Sequence, residues 1–325
     1  MGASAQEFFG VKLGMEEAIA KAAVLIEALP YIRRFRGKTV VVKLGGSFMD
    51  VPEDLEAVCT DIAFMRAVDI DPVVVHGGGK AITRAMEEAG LEAKFVGGLR
   101  YTGPEELRIV EDVLATDVNR RIVALLEKAG ARAEGLTSKT RCPLKAEPLA
   151  ASGGPDLGLV GKVVAVDALL LRGLCDLGTI PVIAPIACAV DQLSSAGSVA
   201  QMPSSGHPAQ PGAAVPLKYN CNADEAASAV ARALEAEKLV NVSDTHGIRE
   251  RPDDEGSLLS HLSEADARRF LKSGVISGGM IPKVETCLEA LKGGVKKCHI
   301  VSGRVPHSLL LEIYTDRGVG TEIAP

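Results

Sequence analysis

The 325-residue sequence contains no tryptophan, and aromatic residues make up 3% of it. Positive charge is also short: 36 Lys and Arg face 42 Asp and Glu, for a formal net charge of −6. Nucleic-acid binding draws on excess cationic charge and on aromatic faces that stack with bases, so no nucleic-acid partner is expected. Long apolar runs are missing. The longest near the N-terminus, Ala22 to Ile26, is bounded by Lys21 and Glu27, whereas a bilayer span needs roughly 20 apolar residues. Met1 to Gly10 lacks the basic and apolar regions of a signal peptide, and Gln6 stands where a myristoylation motif on Gly2 places Ser or Thr. The seven cysteines (Cys59, Cys142, Cys175, Cys188, Cys221, Cys287, Cys298) are odd in number and form no C-x-x-C. They read as small buried hydrophobes in a reducing compartment, and neither a zinc site nor a disulfide frame is expected. The expectation is a cytoplasmic protein with no membrane association and no metal ligand set of its own.

What is present is an ordinary globular composition, 47% hydrophobic and 24% charged. The length suits two domains or one large α/β unit. Residues 15–36 carry Ile19, Ala22, Ile26 and Leu29 at helical spacing, with Pro30 expected to kink or end the helix and Arg33, Arg34 and Arg36 following it. This element precedes the first core strand and is expected to pack on a neighbour. From Lys38 onward, continuous apolar runs alternate with helical patterns: residues 39–42, 72–75, 180–184, 239–242 and 298–301. Such runs are strands buried on both faces, which means a mainly parallel sheet covered by helices: an α/β fold. Thr102-Gly-Pro-Glu105 has the spelling of a capping box ahead of Leu107, Val110, Leu114, Val118, Ile122 and Leu125. Residues 193–216, rich in Ser, Gly, Pro and Ala, read as a flexible loop between two halves.

Ligands in parallel α/β sheets bind beyond the carboxyl ends of the strands. Two glycine-rich turns follow strands, Gly45-Gly46 and Gly77-Gly78-Gly79, and both allow backbone N–H groups to approach an anion. Neither is G-x-G-x-x-G, and Gly79-Lys80 lacks the rest of a Walker A loop. Taken alone, each turn is as well explained by tight strand-to-helix geometry. Lys43 ends an apolar strand, where a snorkelling lysine is the plain alternative. Lys283 is more telling, because Ser277-Gly-Gly-Met-Ile-Pro-Lys283 opens a helix and a cation in the first turn opposes the helix dipole. Asn222 and Glu225 suit helix capping, which leaves Asn220 and Asp224 free for a ligand. Arg100 is a candidate carboxylate clamp, and His76 reads as a turn residue. Two lysines, an aspartate, glycine turns and an arginine suit phosphoryl transfer to a small acid, chemistry that depends on positioning and charge neutralisation.

The order and spelling of Val42-Lys-Leu-Gly-Gly-Ser47, Val75-His-Gly-Gly-Gly79, Gly98-Leu-Arg100, Tyr219-Asn-Cys-Asn-Ala-Asp224 and Ser277-Gly-Gly-Met-Ile-Pro-Lys-Val284 resemble the amino acid kinase family, and within it the branch that phosphorylates N-acetyl-L-glutamate. The resemblance implies a three-layer αβα sandwich, with ATP and Mg2+ as cofactors. Residues 1–36 would be an oligomerisation helix, 37–192 an acetylglutamate-binding half, and 217–325 an ATP-binding half. It implies Lys43, Lys283 and Asp224 as catalytic residues, and Gly78, Gly79, Arg100 and Asn220 at the substrate. Gly45, Gly46, Asp244, Gly247, Ile276 and Ser277 would lie at the nucleotide. Leu25 to Tyr31 and the stretch from His307 to Thr321 further resemble an arginine-inhibited branch in which dimers interlace into a hexamer. That likeness implies feedback inhibition by L-arginine through Tyr31, His299, Glu312 and Gly318. Departures from the family pattern fall at Lys80, Gly97, Thr137 to Cys142, the 193–216 loop and Asp244 to Arg249. An aminoadipate-type substrate and a non-catalytic arginine sensor stay open as alternatives.

Overall fold

A computed structural model describes residues 15–149, 156–190, 217–251, 253–314 and 318–325. The expected 193–216 loop lies outside the described residues. The central sheet has eight strands: β1 (Thr39–Leu44), β2 (Asp71–His76), β5 (Arg132–Leu136), β8 (Thr179–Ile183), β11 (Lys238–Ser243), β12 (His261–Ser263), β13 (Lys297–Ser302) and β14 (Thr321–Ala324). Their order is β12-β14-β13-β11-β1-β2-β8-β5, and every pairing is parallel except β13 with β14. The alternation along β1 explains why the strand reads as solid apolar sequence. Val41 packs into one core, while Val40, Val42 and Leu44 pack into the other, on the opposite face of the sheet.

Helices cover both faces. On one side lie α6 (Ala168–Asp176), α7 (Ala223–Ala233), α8 (Glu264–Ser273) and α9 (Met280–Lys292); on the other lie α2 (Pro52–Ala67), α5 (Asn119–Lys128) and α10 (Ser308–Tyr314). The three-layer αβα sandwich of an α/β protein follows. A second, closed four-stranded sheet joins β6 (Leu144–Pro148), β7 (Val160–Val166), β9 (Ile186–Ala189) and β10 (Lys218–Cys221). A short hairpin, β3 (Phe95–Val96) with β4 (Leu99–Arg100), follows α3 (Gly79–Glu88). β6 (Leu144-Lys-Ala-Glu-Pro148) of the closed sheet and β5 (Arg132-Ala-Glu-Gly-Leu136) of the central sheet escape the sequence pattern because they are too polar and too short to read as strands without their partners. Among the described residues no helix is long and apolar enough to cross a membrane.

Three local expectations fared differently. Asn222 caps α7 as its spacing predicts, its side-chain oxygen accepting from the N–H groups of Asp224 and Glu225 at 2.8 and 3.1 Å, a contribution of about 1 kcal/mol. Thr102 does not cap the next helix: α4 (Pro104–Asp112) begins after Gly103, while the Thr102 hydroxyl turns back to donate to the Arg100 carbonyl. Pro30 does not end α1 (Met15–Phe35), which continues for another turn. Ile26, whose carbonyl loses its partner to the proline ring, is largely exposed, so water can take the bond. The apolar face of α1 stands in solvent, with Ile19, Val24, Leu25 and Ile26 all more than half exposed, and the helix touches the body at its C-terminal end through Tyr31, Ile32 and Phe35.

Candidate functional site

The strand order reverses direction at β1, which has β2 on one side and β11 on the other. That is where an open parallel sheet leaves a crevice at its carboxyl edge, and the glycine turns sit there. Lys43, one residue from the end of β1, is 4% exposed and reaches Asp224 of α7, its Nζ 2.8 Å from Oδ1. From the opposite side Lys283 of α9 brings its Nζ to 3.7 Å from Asp224 Oδ2. The carboxylate therefore lies between two ammonium groups. Burial on its own would raise the Asp224 pKa, but the flanking lysines outweigh it and hold the carboxyl below its ordinary range. Burial, together with the nearby charge of Lys43, lowers the pKa of Lys283.

Gly45 follows immediately. A Cβ built there would lie 2.4 Å from the Lys43 ammonium, so a side chain would have to displace the cation that Asp224 holds in place. Gly46 has φ +108° and a Cβ would meet Asp244 Oδ2 at 2.7 Å. The Asp244 carboxylate accepts from the backbone N–H groups of Ser47 and Phe48 at 2.6 and 2.7 Å, which clamps the Gly45–Ser47 turn across the crevice. Arg304 closes the arrangement by donating to the Ser47 hydroxyl at 2.8 Å.

Beside this cluster a cavity of about 180 Å³ is lined by Gly78, Gly79, Arg100, Leu114, Asn220 and Asn222. It shares Gly78, Gly79, Phe95 and Arg100 with a larger one of about 560 Å³ that also takes in Gly46, Ser47, Lys80, Arg84, Arg121 and Asp244. Arg100 is fixed by donating to the Gly79 carbonyl at 3.0 Å and to Thr83 Oγ1 at 2.8 Å, and its guanidinium stacks 4.7 Å from the Phe95 ring. Asn220 donates to Thr102 Oγ1 at 3.0 Å. On the far side of Asp244, a cavity of about 280 Å³ is lined by Gly247, Ile248, Val275, Ile276, Ser277 and Met280.

The family model of the amino acid kinase family matches residues 38–302. The chain belongs to that family. Its curated relatives include the acetylglutamate kinases of Thermoanaerobacter pseudethanolicus, 44% identical over 94% of both chains, and of Heliobacterium modesticaldum, 44% identical over 95% of this chain and 99% of the relative. Among solved structures, the N-acetylglutamate synthase of Neisseria gonorrhoeae in complex with coenzyme A and N-acetyl-glutamate superposes with a TM-score of 0.76 at 26% identity. The same synthase in complex with coenzyme A and L-arginine gives 0.74 at 25%. This kinase covers 94% of its own length in the first match but spans 63% of the synthase chain.

The residues singled out in the kinase sequence for catalysis, acceptor and nucleotide fall into three groups in space. Lys43, Asp224 and Lys283 meet with Gly45 and Gly46 above them. Gly78, Gly79, Arg100 and Asn220 share a cavity, as do Gly247, Ile276 and Ser277 with Asp244. A separate cavity of about 360 Å³ lies by the end of α1, lined by Tyr31, Arg34, Lys238, Lys297, Glu312, Gly318 and Glu322. His299 does not line it. It is 1% exposed behind the wall, where its Nδ1 lies 2.7 Å from Glu312 Oε1 and its Nε2 lies 2.8 Å from the Lys238 ammonium. Burial lowers the pKa of His299 and brings that of Lys238 down to about 8. Sequence reasoning missed Ser47, Asn222, Arg304, Lys238, Lys297 and Glu322. Of these, Asn222 was visible but fully accounted for by capping. The charged ones carry no local signal, since Lys, Arg and Glu on strands and turns are ordinary until the fold shows what they face.

Proposed function

We propose that this kinase transfers the γ-phosphoryl group of ATP to the γ-carboxylate of N-acetyl-L-glutamate. The observation that carries the reading is the Lys43–Asp224–Lys283 arrangement beside the Gly45–Gly46 turn. In the transfer the bond from the γ-phosphorus to the bridging oxygen breaks, and a bond from a carboxylate oxygen to phosphorus forms. The acceptor is already ionised near neutral pH, so no general base is needed. Asp224, with a lysine against each oxygen, is suited to aiming two ammonium groups at the transferring phosphoryl, where they offset its developing charge. The Gly45–Gly46 turn would bring backbone N–H groups to the phosphates. Gly247, Ile276 and Ser277 would enclose the nucleoside, and Asp244 would hold the turn in shape.

Among the described residues no group of three or more His, Cys, Asp or Glu side chains could hold a metal ion. Mg2+ would thus arrive on the phosphates of ATP, a common mode for this ion, and there supply charge neutralisation. On the acceptor side Gly78 and Gly79 would donate amides, while Arg100 and Asn220 would hold the acetylglutamate end. Residues 37–192 and 217–325 would then be the acceptor and nucleotide halves, although one sheet runs through both. The setting would be arginine biosynthesis in the cytoplasm.

We further propose L-arginine as a feedback inhibitor bound in the cavity at the end of α1. Glu312 and Glu322 can face a guanidinium, and Arg34, Lys238 and Lys297 can face a carboxylate, which matches a zwitterion with a cationic tail. His299 would orient Glu312 instead of touching the ligand. The exposed apolar face of α1 would interlace dimers into a hexamer, so that the cavity and the assembly share one helix. Trapping of the acyl phosphate with hydroxylamine, using N-acetyl-L-glutamate beside N-acetylaminoadipate, with and without arginine, tests all of this. Product from acetylglutamate, suppressed by arginine, is expected. Product from aminoadipate alone would replace the substrate, and no product with arginine still bound would make the chain a sensor. A truncation starting at Lys38 that stayed hexameric and equally arginine-sensitive would remove α1 from the regulatory reading.

A further inference from the structure

His76 ends β2 immediately before Gly77-Gly78-Gly79, is fully buried, and takes no part in the phosphoryl-transfer steps above. Its surroundings fix its chemistry atom by atom. The Asn119 side-chain nitrogen lies 2.9 Å from the Val182 carbonyl, which can only accept, so the amide orientation of Asn119 is determined. The second hydrogen of that same nitrogen points to His76 Nε2, 3.0 Å away. His76 Nε2 must therefore accept, the proton must sit on Nδ1, and Nδ1 donates to the Gly77 carbonyl at 2.9 Å. A chain of three hydrogen bonds thus runs from β8 through the start of α5 to the first peptide of the glycine loop.

The fold accommodates this chain through an irregular helix and close glycine contacts. The helix from Pro104 to Lys128 opens into a π-helical stretch, Val113–Val118, directly before Asn119, and such wide turns are common at functional sites. From that stretch Leu114 packs on Gly78 so closely that a Cβ on Gly78 would lie 2.6 Å from its Cδ2. Gly135 on β5 leaves the space that Asn119 fills, since a Cβ there would lie 2.2 Å from Asn119 Oδ1. The glycine loop is therefore held by apolar contact at Gly78 and by hydrogen bonding at Gly77.

We propose that His76 is a positioning residue, a neutral imidazole locked by Asn119 in the Nδ1–H tautomer, which holds the Gly77 carbonyl and so sets the direction of the Gly78 and Gly79 amides towards the acceptor. The inference rests on the acetylglutamate reading for its kinetic consequence and not for its geometry. Two variants separate positioning from mere filling. His76→Asn can place an N–H where Nδ1 stood, whereas His76→Gln can place its oxygen where Nε2 stood and cannot reach Gly77. We expect H76Q to lose at least about tenfold in kcat with a smaller change in the KM for ATP, and H76N to recover most of that loss. Equal loss in the two variants, tracking their melting temperatures, would overturn the proposal. Ring 15N chemical shifts of His76 in the resting protein give a readout free of the substrate assignment. The Nδ1–H tautomer is expected, with the Gly78 and Gly79 amide signals shifting more in H76Q than in H76N. An Nε2–H tautomer would overturn the proposal, whereas the absence of acyl phosphate from the unaltered kinase would overturn the substrate reading alone.

Discussion

Replacing Asp224 by Asn removes one negative charge from between two buried ammonium groups while keeping the shape of the side chain. At an effective dielectric of about 20, attraction across the 2.8 and 3.7 Å separations amounts to roughly 5 kcal/mol per pair before desolvation is counted. Desolvation of the three ions consumes most of that, and removing one partner of such a buried group costs about 3–5 kcal/mol, because it leaves uncompensated charge. The lower end applies here, since Lys283, whose pKa burial and Lys43 already lower, can release its proton once the aspartate is gone. A loss of about 3 kcal/mol corresponds to a fall of about 4 °C in melting temperature for a chain of this size. Tripolyphosphate or MgADP supplies anionic charge to the same lysines, and the variant should regain more of its melting temperature from either than the parent gains. Activity should fall roughly 100-fold, the scale for losing one preorganised electrostatic element. Differential scanning calorimetry at fixed ionic strength, beside hydroxamate trapping, reads both quantities. If D224N melted with the parent and kept its turnover, the triad would be an incidental ion pair and the catalytic assignment would collapse.

Gly46→Ala places a Cβ at φ +108° and 2.7 Å from Asp244 Oδ2; kcat/KM for ATP should fall at least about tenfold, and an unchanged value in steady-state assays would detach this turn from the phosphates. His76, whose pKa burial depresses from 6.5 to about 4, stays neutral in the fold while the unfolded chain takes up a proton. Its contribution to stability is complete above pH 6.5 and is lost as pH falls towards 4, on the order of 3 kcal/mol in all. The difference between parent and H76Q in urea midpoints across that window should show this slope, and parallel curves would refute it. Glu312→Gln removes the charge that we propose to face the arginine guanidinium, while His299 and the Val319 and Gly320 amides still border the side chain. Half-inhibition by arginine should need at least about tenfold more ligand, and an unchanged inhibition curve would move the arginine site elsewhere.

The α/β class, the long apolar strands and the places of the glycine turns were legible in the sequence because they depend on local rules. A strand buried on both faces must be apolar throughout, as Val40 to Val42 and Val73 to Val75 are, and a tight strand-to-helix turn favours glycine. The motifs also named the residues that meet, Lys43, Asp224 and Lys283, although they are separated by most of the chain's length. Tertiary structure alone decided what each polar group faces. Nothing near Asp244 in sequence says that its carboxylate takes the Ser47 and Phe48 amides, because that pairing exists only where β1 and β11 lie side by side. The cavity residues Lys238, Lys297 and Glu322 are ordinary charged side chains until β11, β13 and β14 bring them to one end of α1. His299 is buried behind the wall of that cavity and not in its lining, because the alternation of β13 turns the imidazole inward. His76 looked like a turn residue, and its tautomer became determinate through Asn119 and Val182, two residues on other elements whose hydrogen bonds leave its ring a single role.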